Sequence, residues 1–183
     1  MKAIIGNVYA IPSDFCGVFR EETTSLYSLA LLLTADHAKA EQCFVTGFHD
    51  SVRSNRVFRQ WAHSWSRRNI IKNAIHMIQP LPGEVKGTPA AVPISLQDGS
   101  HIPVAAILRL EAFERFVYVM SVLESYSAQD CAILLNCMRQ DVIAARTRAL
   151  QKLSPTQVGA DAPLTLGNEI VRAQEPVSLN GAA

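Results

Sequence analysis

Between residues 126 and 153 small, turn-forming and β-branched residues recur at spacings that suit two short helices with a tight turn between them. Ser127 is placed to cap the first helix, with Asp130 near its positive end. Ala132 is small where two helices must approach closely. Asn136, four residues later, stands where the chain needs a left-handed backbone, which Gly supplies best and Asn next best. Val142, Ala145, Ala149 and Leu153 then recur at helical spacing and form an inward stripe. Arg139, Gln140, Ile143, Ala144, Thr147 and Arg148 are left facing outward. This is the layout of a helix-turn-helix, whose second helix can enter a DNA major groove. The same pattern also suits a plain helical hairpin with a solvated charged face.

The rest of the chain is read around that motif. Helical periodicity starts near Ser13–Phe15 and runs through Phe19, Leu26, Leu29 and Leu33. A second helix is expected over about Ala38–Phe48, with Ala40, Phe44, Val45 and Phe48 inward. A third is expected over about Val57–Ile78, with Phe58, Trp61, Trp65, Ile71, Ile75 and Ile78 as its apolar stripe, ended by Pro80 and Pro82. Residues 79–103 hold five of the nine prolines and three of the nine glycines and have no helical period, the mark of a linker. A helix over about Val104–Leu123 leads into the motif. Residues 1–14 read as an irregular or extended arm, and 154–183 as a disordered tail. The expected fold is all-α: a helical domain over 13–78, a linker over 79–103, and a helix-turn-helix domain over 104–153.

The net charge of +1 becomes informative once divided along the chain. Residues 51–75 carry six basic and no acidic residues, and 139–152 carry four basic and one acidic. Two basic patches on a mildly acidic background suit nucleic acid touched at two places, although two solvated helix faces would look the same. The cysteines at 16, 43, 131 and 137 show no CxxC spacing and read as reduced, buried small hydrophobes of a cytoplasmic protein. The histidines at 37, 49, 63, 76 and 101 make no metal-ligand pattern with them. No Ser/His/Asp set, carboxylate pair or phosphate loop emerges. No enzyme activity, cofactor, metal or membrane contact is therefore expected. Leu26–Leu33 is too short to cross a bilayer.

Three stretches carry a resemblance. The first is Phe15, Phe19 and the run Leu26-Tyr27-Ser28-Leu29-Ala30-Leu31-Leu32-Leu33-Thr34-Ala35-Asp36, followed by Ala38 and Ala40-Glu41. The second is Phe58-Arg59-Gln60-Trp61 with Arg67. The third is Leu110-Glu111-Ala112-Phe113-Glu114-Arg115-Phe116-Val117, leading into the 126–153 motif. In this order, with a linker between the second and third, the chain resembles a bacterial RNA polymerase sigma factor of the extracytoplasmic-function group, with its regions 2 and 4.

The resemblance implies a factor that binds the polymerase core and directs it to promoters. Region 4 would read the minus-thirty-five element as duplex through Arg139, Gln140, Ile143, Ala144, Arg146, Thr147 and Arg148. Region 2 would bind the minus-ten element and its displaced strand, with Arg53, Arg56, Arg59, Arg67, Arg68 and Lys72 neutralising phosphates. Trp61 and Trp65 could stack on an unpaired base, but their spacing fits the buried stripe better. Glu41 and Gln42 would lie on the surface that docks on the polymerase core, and an anti-sigma regulator is a further expected partner. The departures are specific. Gln42 and Thr46 stand among positions where the family carries acids, Ile143-Ala144-Ala145 replaces a basic cluster, and Met138 replaces a Ser or Thr cap. They favour an alternative: a divergent sigma-like binding or regulatory module that no longer initiates transcription.

Overall fold

In a computed structural model that describes residues 8–54, 56–83 and 104–154, the chain is all-helical. The elements are α1 (Pro12–Glu21), α2 (Thr23–Thr34), α3 (His37–Val52), a single 3-10 turn (Arg59–Trp61), α4 (Ala62–Ile78), α5 (Val104–Leu108), α6 (Ala112–Tyr118), α7 (Ala128–Leu135) and α8 (Arg139–Leu153). α6 widens into a π-helical turn over Val119–Leu123. The linker expected over 79–103 lies outside the described residues beyond Gly83, as does the tail beyond Ser154.

The helix boundaries follow local chemistry. Pro12 opens α1, and the Ile11 N–H donates to the Asp14 carboxylate at 3.0 Å. The single helix expected from Ser13 to Leu33 is broken at Glu22. There the Thr23 hydroxyl donates back to the Phe19 carbonyl at 2.5 Å, giving the backbone a partner outside the helical ladder. Ala35 ends α2 in the left-handed region at φ 53°, and Asp36 caps α3 by accepting the Lys39 N–H at 2.9 Å. α3 runs to Val52, longer than the expected Ala38–Phe48. Val45, expected inward, is exposed.

α4 begins at Ala62 rather than Val57. Phe58 is extended and makes an antiparallel bridge with Tyr9, tied by Ala10 N–H to Val57 O at 2.7 Å and Arg59 N–H to Val8 O at 3.0 Å. That bridge uses Val57 and Phe58 for the N-terminal arm and resets the phase of the helix that follows. Its buried positions are Ala62, Ser66, Asn69, Ile70, Ile71 and Ala74. Of the polar interruption Ser66–Asn69, Ser66 and Asn69 are buried and both are satisfied. Ser66 donates to the Ala62 carbonyl at 2.8 Å, and the Asn69 amide donates to Ser51 Oγ at 2.9 Å. α3 and α4 pack at Gly47, where an added methyl would lie 2.6 Å from Ile70 Cδ1.

The expected Val104–Leu123 helix is also interrupted, at Arg109–Glu111. The break leaves the Leu110 carbonyl for the Arg115 guanidinium, which donates to it at 2.8 Å and to the Leu33 carbonyl, near the end of α2, at 3.2 Å. Arg115 is buried, and desolvation lowers its pKa to about 10. Through the Leu33 carbonyl the buried guanidinium meets the negative C-terminal end of α2. α2 also packs against α6 and the π turn, so Phe113, Phe116, Val117 and Met120 share one buried cluster with Leu26, Leu33, Ile70 and Ile71. Among the described residues no helix is long and apolar enough to cross a membrane.

Candidate nucleic-acid interface

α7, a three-residue connection and α8 are built by the residues that the spacing singled out. Ser127 Oγ accepts the Asp130 N–H at 3.1 Å. Asn136 takes φ 49°, and the following Cys137 N–H reaches back to the Ala132 carbonyl at 3.0 Å, closing the end of α7. At the start of α8 the Met138 side chain offers no cap. Its backbone N–H instead donates to the Asp141 carboxylate at 3.1 Å. Val142, Ala145 and Ala149 are buried and Leu153 is half-buried, so the inward stripe is as the period requires.

The outward face of α8 carries Arg139, Gln140, Ile143, Ala144, Arg146, Thr147 and Arg148, all exposed. The face is not uniformly basic. Arg148 Nε and Lys152 Nζ donate to the two oxygens of Glu114 at 2.9 and 2.7 Å, and Glu114, on α6, is only 2% exposed. One buried carboxylate thus holds two of the four cations between residues 139 and 152. Arg139 and Arg146 have no carboxylate partner among the described residues. The role of Glu114 has a signal in the sequence that the basic patches alone do not show: a carboxylate among Phe113, Phe116, Val117 and Val119, with two cations four residues apart on another helix.

The first basic run divides in the same way. Arg56, Arg68 and Lys72 are exposed without a carboxylate partner among the described residues, as is Arg53. Arg59 pairs with Asp14 at 2.8 Å. Arg67 is held by Glu124 through Nε at 2.7 Å and through Nη2, and by Ser25 Oγ through Nη1 at 2.9 Å. The hydrogen bond to Glu124, followed by the nearby charges of Glu124 and Glu22, outweighs burial and raises its pKa.

The spacing places Trp61 in the buried stripe, but it is 53% exposed, because the helix that would turn it inward begins one residue later. Its ring meets Phe58 edge-on at 4.9 Å, and Phe58 stacks on Tyr9 at 5.2 Å. Phe58 also lines an open groove of about 570 Å³ with Val8, Arg59 and Gln60. Trp65 is half-buried. Its indole N–H donates to Ser54 Oγ at 2.7 Å, and Lys72 Nζ lies 5.7 Å from the ring centre. On α3, Glu41 and Gln42 are both exposed, and Thr46 turns its hydroxyl to the Gln42 carbonyl at 2.8 Å.

The cysteines split. Cys43 and Cys131 are buried, and burial pushes their thiols up to about 12 and about 11. Cys43 donates to the Ile70 carbonyl at 3.3 Å. Thiols held in the neutral form are poor nucleophiles. Cys16, expected to be buried, is exposed on α1. Among the described residues no three His, Cys, Asp or Glu side chains gather as a metal site. Compared with known protein families, curated proteins and solved structures, the chain matches none.

Proposed function

We propose that the chain is a sigma-like transcription initiation factor, which joins core RNA polymerase and contacts promoter DNA with both groups of helices. The observation that carries this reading is the exposed face of α8, presented after a capped α7 and a left-handed Asn136, with Arg139 in its first turn. Arg139 can reach a guanine edge and Gln140 an adenine edge in a major groove, while Arg146 is placed for a phosphate and Arg148 for one once it leaves Glu114. On the first group, exposed Trp61 with Phe58 and Tyr9, flanked by Arg56, offers a stacking surface and a cation to the displaced strand. Glu41 and Gln42 supply the docking surface for the polymerase core. Such a factor works in the cytoplasm, carries no cofactor and leaves catalysis to the polymerase. An anti-sigma regulator is a natural partner for it. Co-purification of the full chain with core polymerase tests this reading, and failure to join core in any salt condition sinks it.

A second reading has specific support. Gln42 and Thr46 give α3 little negative charge, Ile143 and Ala144 put apolar surface on α8, and Glu114 occupies Arg148 and Lys152. These favour a sigma-like module that binds a regulator and no longer initiates. Gln42→Asp combined with Thr46→Glu separates the two. A large gain in core binding marks a docking surface that has been weakened, and no gain leaves initiation as the better account.

A further inference from the structure

Arg67 is the most fully engaged cation of the first basic run. Glu124 holds it through Nε and Nη2, Ser25 takes Nη1, and Glu22 stands 3.6 Å from that nitrogen. The pair joins α4 to the residue that follows the π turn, and Ser125, next in the chain, takes φ 58°. The pair lies in an open groove of about 590 Å³ that Ser64, Leu123, Ser125, Tyr126 and a second carboxylate, Asp130, also line. Two parallel N–H···O bonds from one guanidinium to one carboxylate are also the geometry in which arginine holds a phosphate. Three of the five guanidinium N–H donors are taken in this way, including the Nε/Nη2 fork that would clasp a phosphate side-on.

We propose that Glu124 is an internal competitor for nucleic-acid phosphate at Arg67. Its carboxylate occupies the fork that a backbone phosphate would take, so a strand lying along α4 has first to lift the 123–126 turn. The inference rests on the reading of α4 as a strand-binding helix. It adds a coupling between the two helical groups. Strand binding at Arg67 loosens the tie to the chain entering α7, and anything that draws that chain away frees Arg67. By linkage the two effects are equal in free energy.

The test measures binding of a fluorescein-labelled oligothymidylate to the full chain by anisotropy across a salt series. One additional single-strand phosphate contact steepens the log–log salt slope by about 0.7, which corresponds to about five-fold tighter binding at 0.1 M salt. Glu124→Gln and Glu124→Ala are expected to show that gain, and adding Arg67→Gln to Glu124→Gln is expected to remove it. A gain that survives Arg67→Gln reflects only a lost negative charge and overturns the proposal, as do an unchanged affinity and slope in variants that still bind. Should both variants melt below the assay temperature, hydrogen exchange on the wild-type chain decides. The amides of residues 125–127 must exchange faster once the strand is bound, and unchanged protection refutes the competition. If neither the wild type nor any variant binds the oligonucleotide even at low salt, the reading of α4 itself fails, and the competition falls with it.

Discussion

Glu114→Gln should turn α8 into a stronger DNA-binding helix at a modest cost in stability. The wild-type carboxylate is 2% exposed, whereas the side chains of its partners Arg148 and Lys152 are 50% and 49% exposed. Removing the buried charge therefore leaves the two cations at the surface, where water can solvate them. Each charge-assisted hydrogen bond contributes about 1.5–3 kcal/mol, but burying the carboxylate costs several kcal/mol. The two largely cancel, leaving a loss of about 1–2 kcal/mol, or a fall in Tm of about 2–8 °C for a chain of this size. The gain is electrostatic. Each duplex phosphate newly neutralised steepens the log–log salt slope by about 0.9, so two freed cations add about 1.8. At 0.1 M salt this corresponds to about eight-fold tighter binding if one cation reaches the backbone and about sixty-fold if both do. The assay is anisotropy of a labelled duplex from low to moderate salt, run below the melting temperature of the variant. An unchanged slope would show that the Arg148 and Lys152 flank of α8 does not lie against DNA, and would refute the placement of Arg148 as a phosphate contact.

Four further outcomes follow from the packing. Asn136→Val forces a β-branched residue to φ 49° and should cost about 1–3 kcal/mol, while Asn136→Gly should be close to neutral; chemical denaturation of both variants checks this. Arg115→Ala orphans the Leu33 and Leu110 carbonyls and opens a cavity, so a loss of about 3 kcal/mol or more is expected by the same method, and a loss below about 1 kcal/mol would contradict its role as a tie between α2 and α6. An alkylating reagent at pH 8 should modify Cys16 first and spare Cys43 and Cys131, as read by mass spectrometry. Both buried thiols have folded pKa values above the unfolded 9.0, so their contribution to stability is complete below about pH 9. It is lost as pH rises towards about 11 for Cys131 and about 12 for Cys43, as chemical denaturation at pH 8 and pH 10 would show.

The parts legible in the sequence are those set by near neighbours. Ser127, Ala132, Asn136 and Val142 act within a few residues of themselves, so their spacing alone predicts α7, the turn and α8. Thr34-Ala35-Asp36 is legible for the same reason, being a stop and a cap in three consecutive residues. The misses come from distant partners. The N-terminal arm pairs Tyr9 with Phe58, which delays α4 and turns Trp61 outward, and nothing within the 57–78 pattern records that pairing. The break before α6 accompanies an arginine that bonds to Leu33, 82 residues away. The sequence shows two basic patches, over 51–75 and 139–152, yet Asp14, Glu124 and Glu114 hold several of their members. Charge counts along a chain cannot separate a cation that faces solvent from one that a remote carboxylate holds.

Run-off transcription by core RNA polymerase, with and without the purified chain, tests the central claim most directly. On fragments of the source genome, the account predicts discrete transcripts that appear only when the chain is present. They should weaken when Arg139 and Gln140 are both replaced by alanine. The same transcripts with and without the chain, on fragments covering the whole genome, would contradict it.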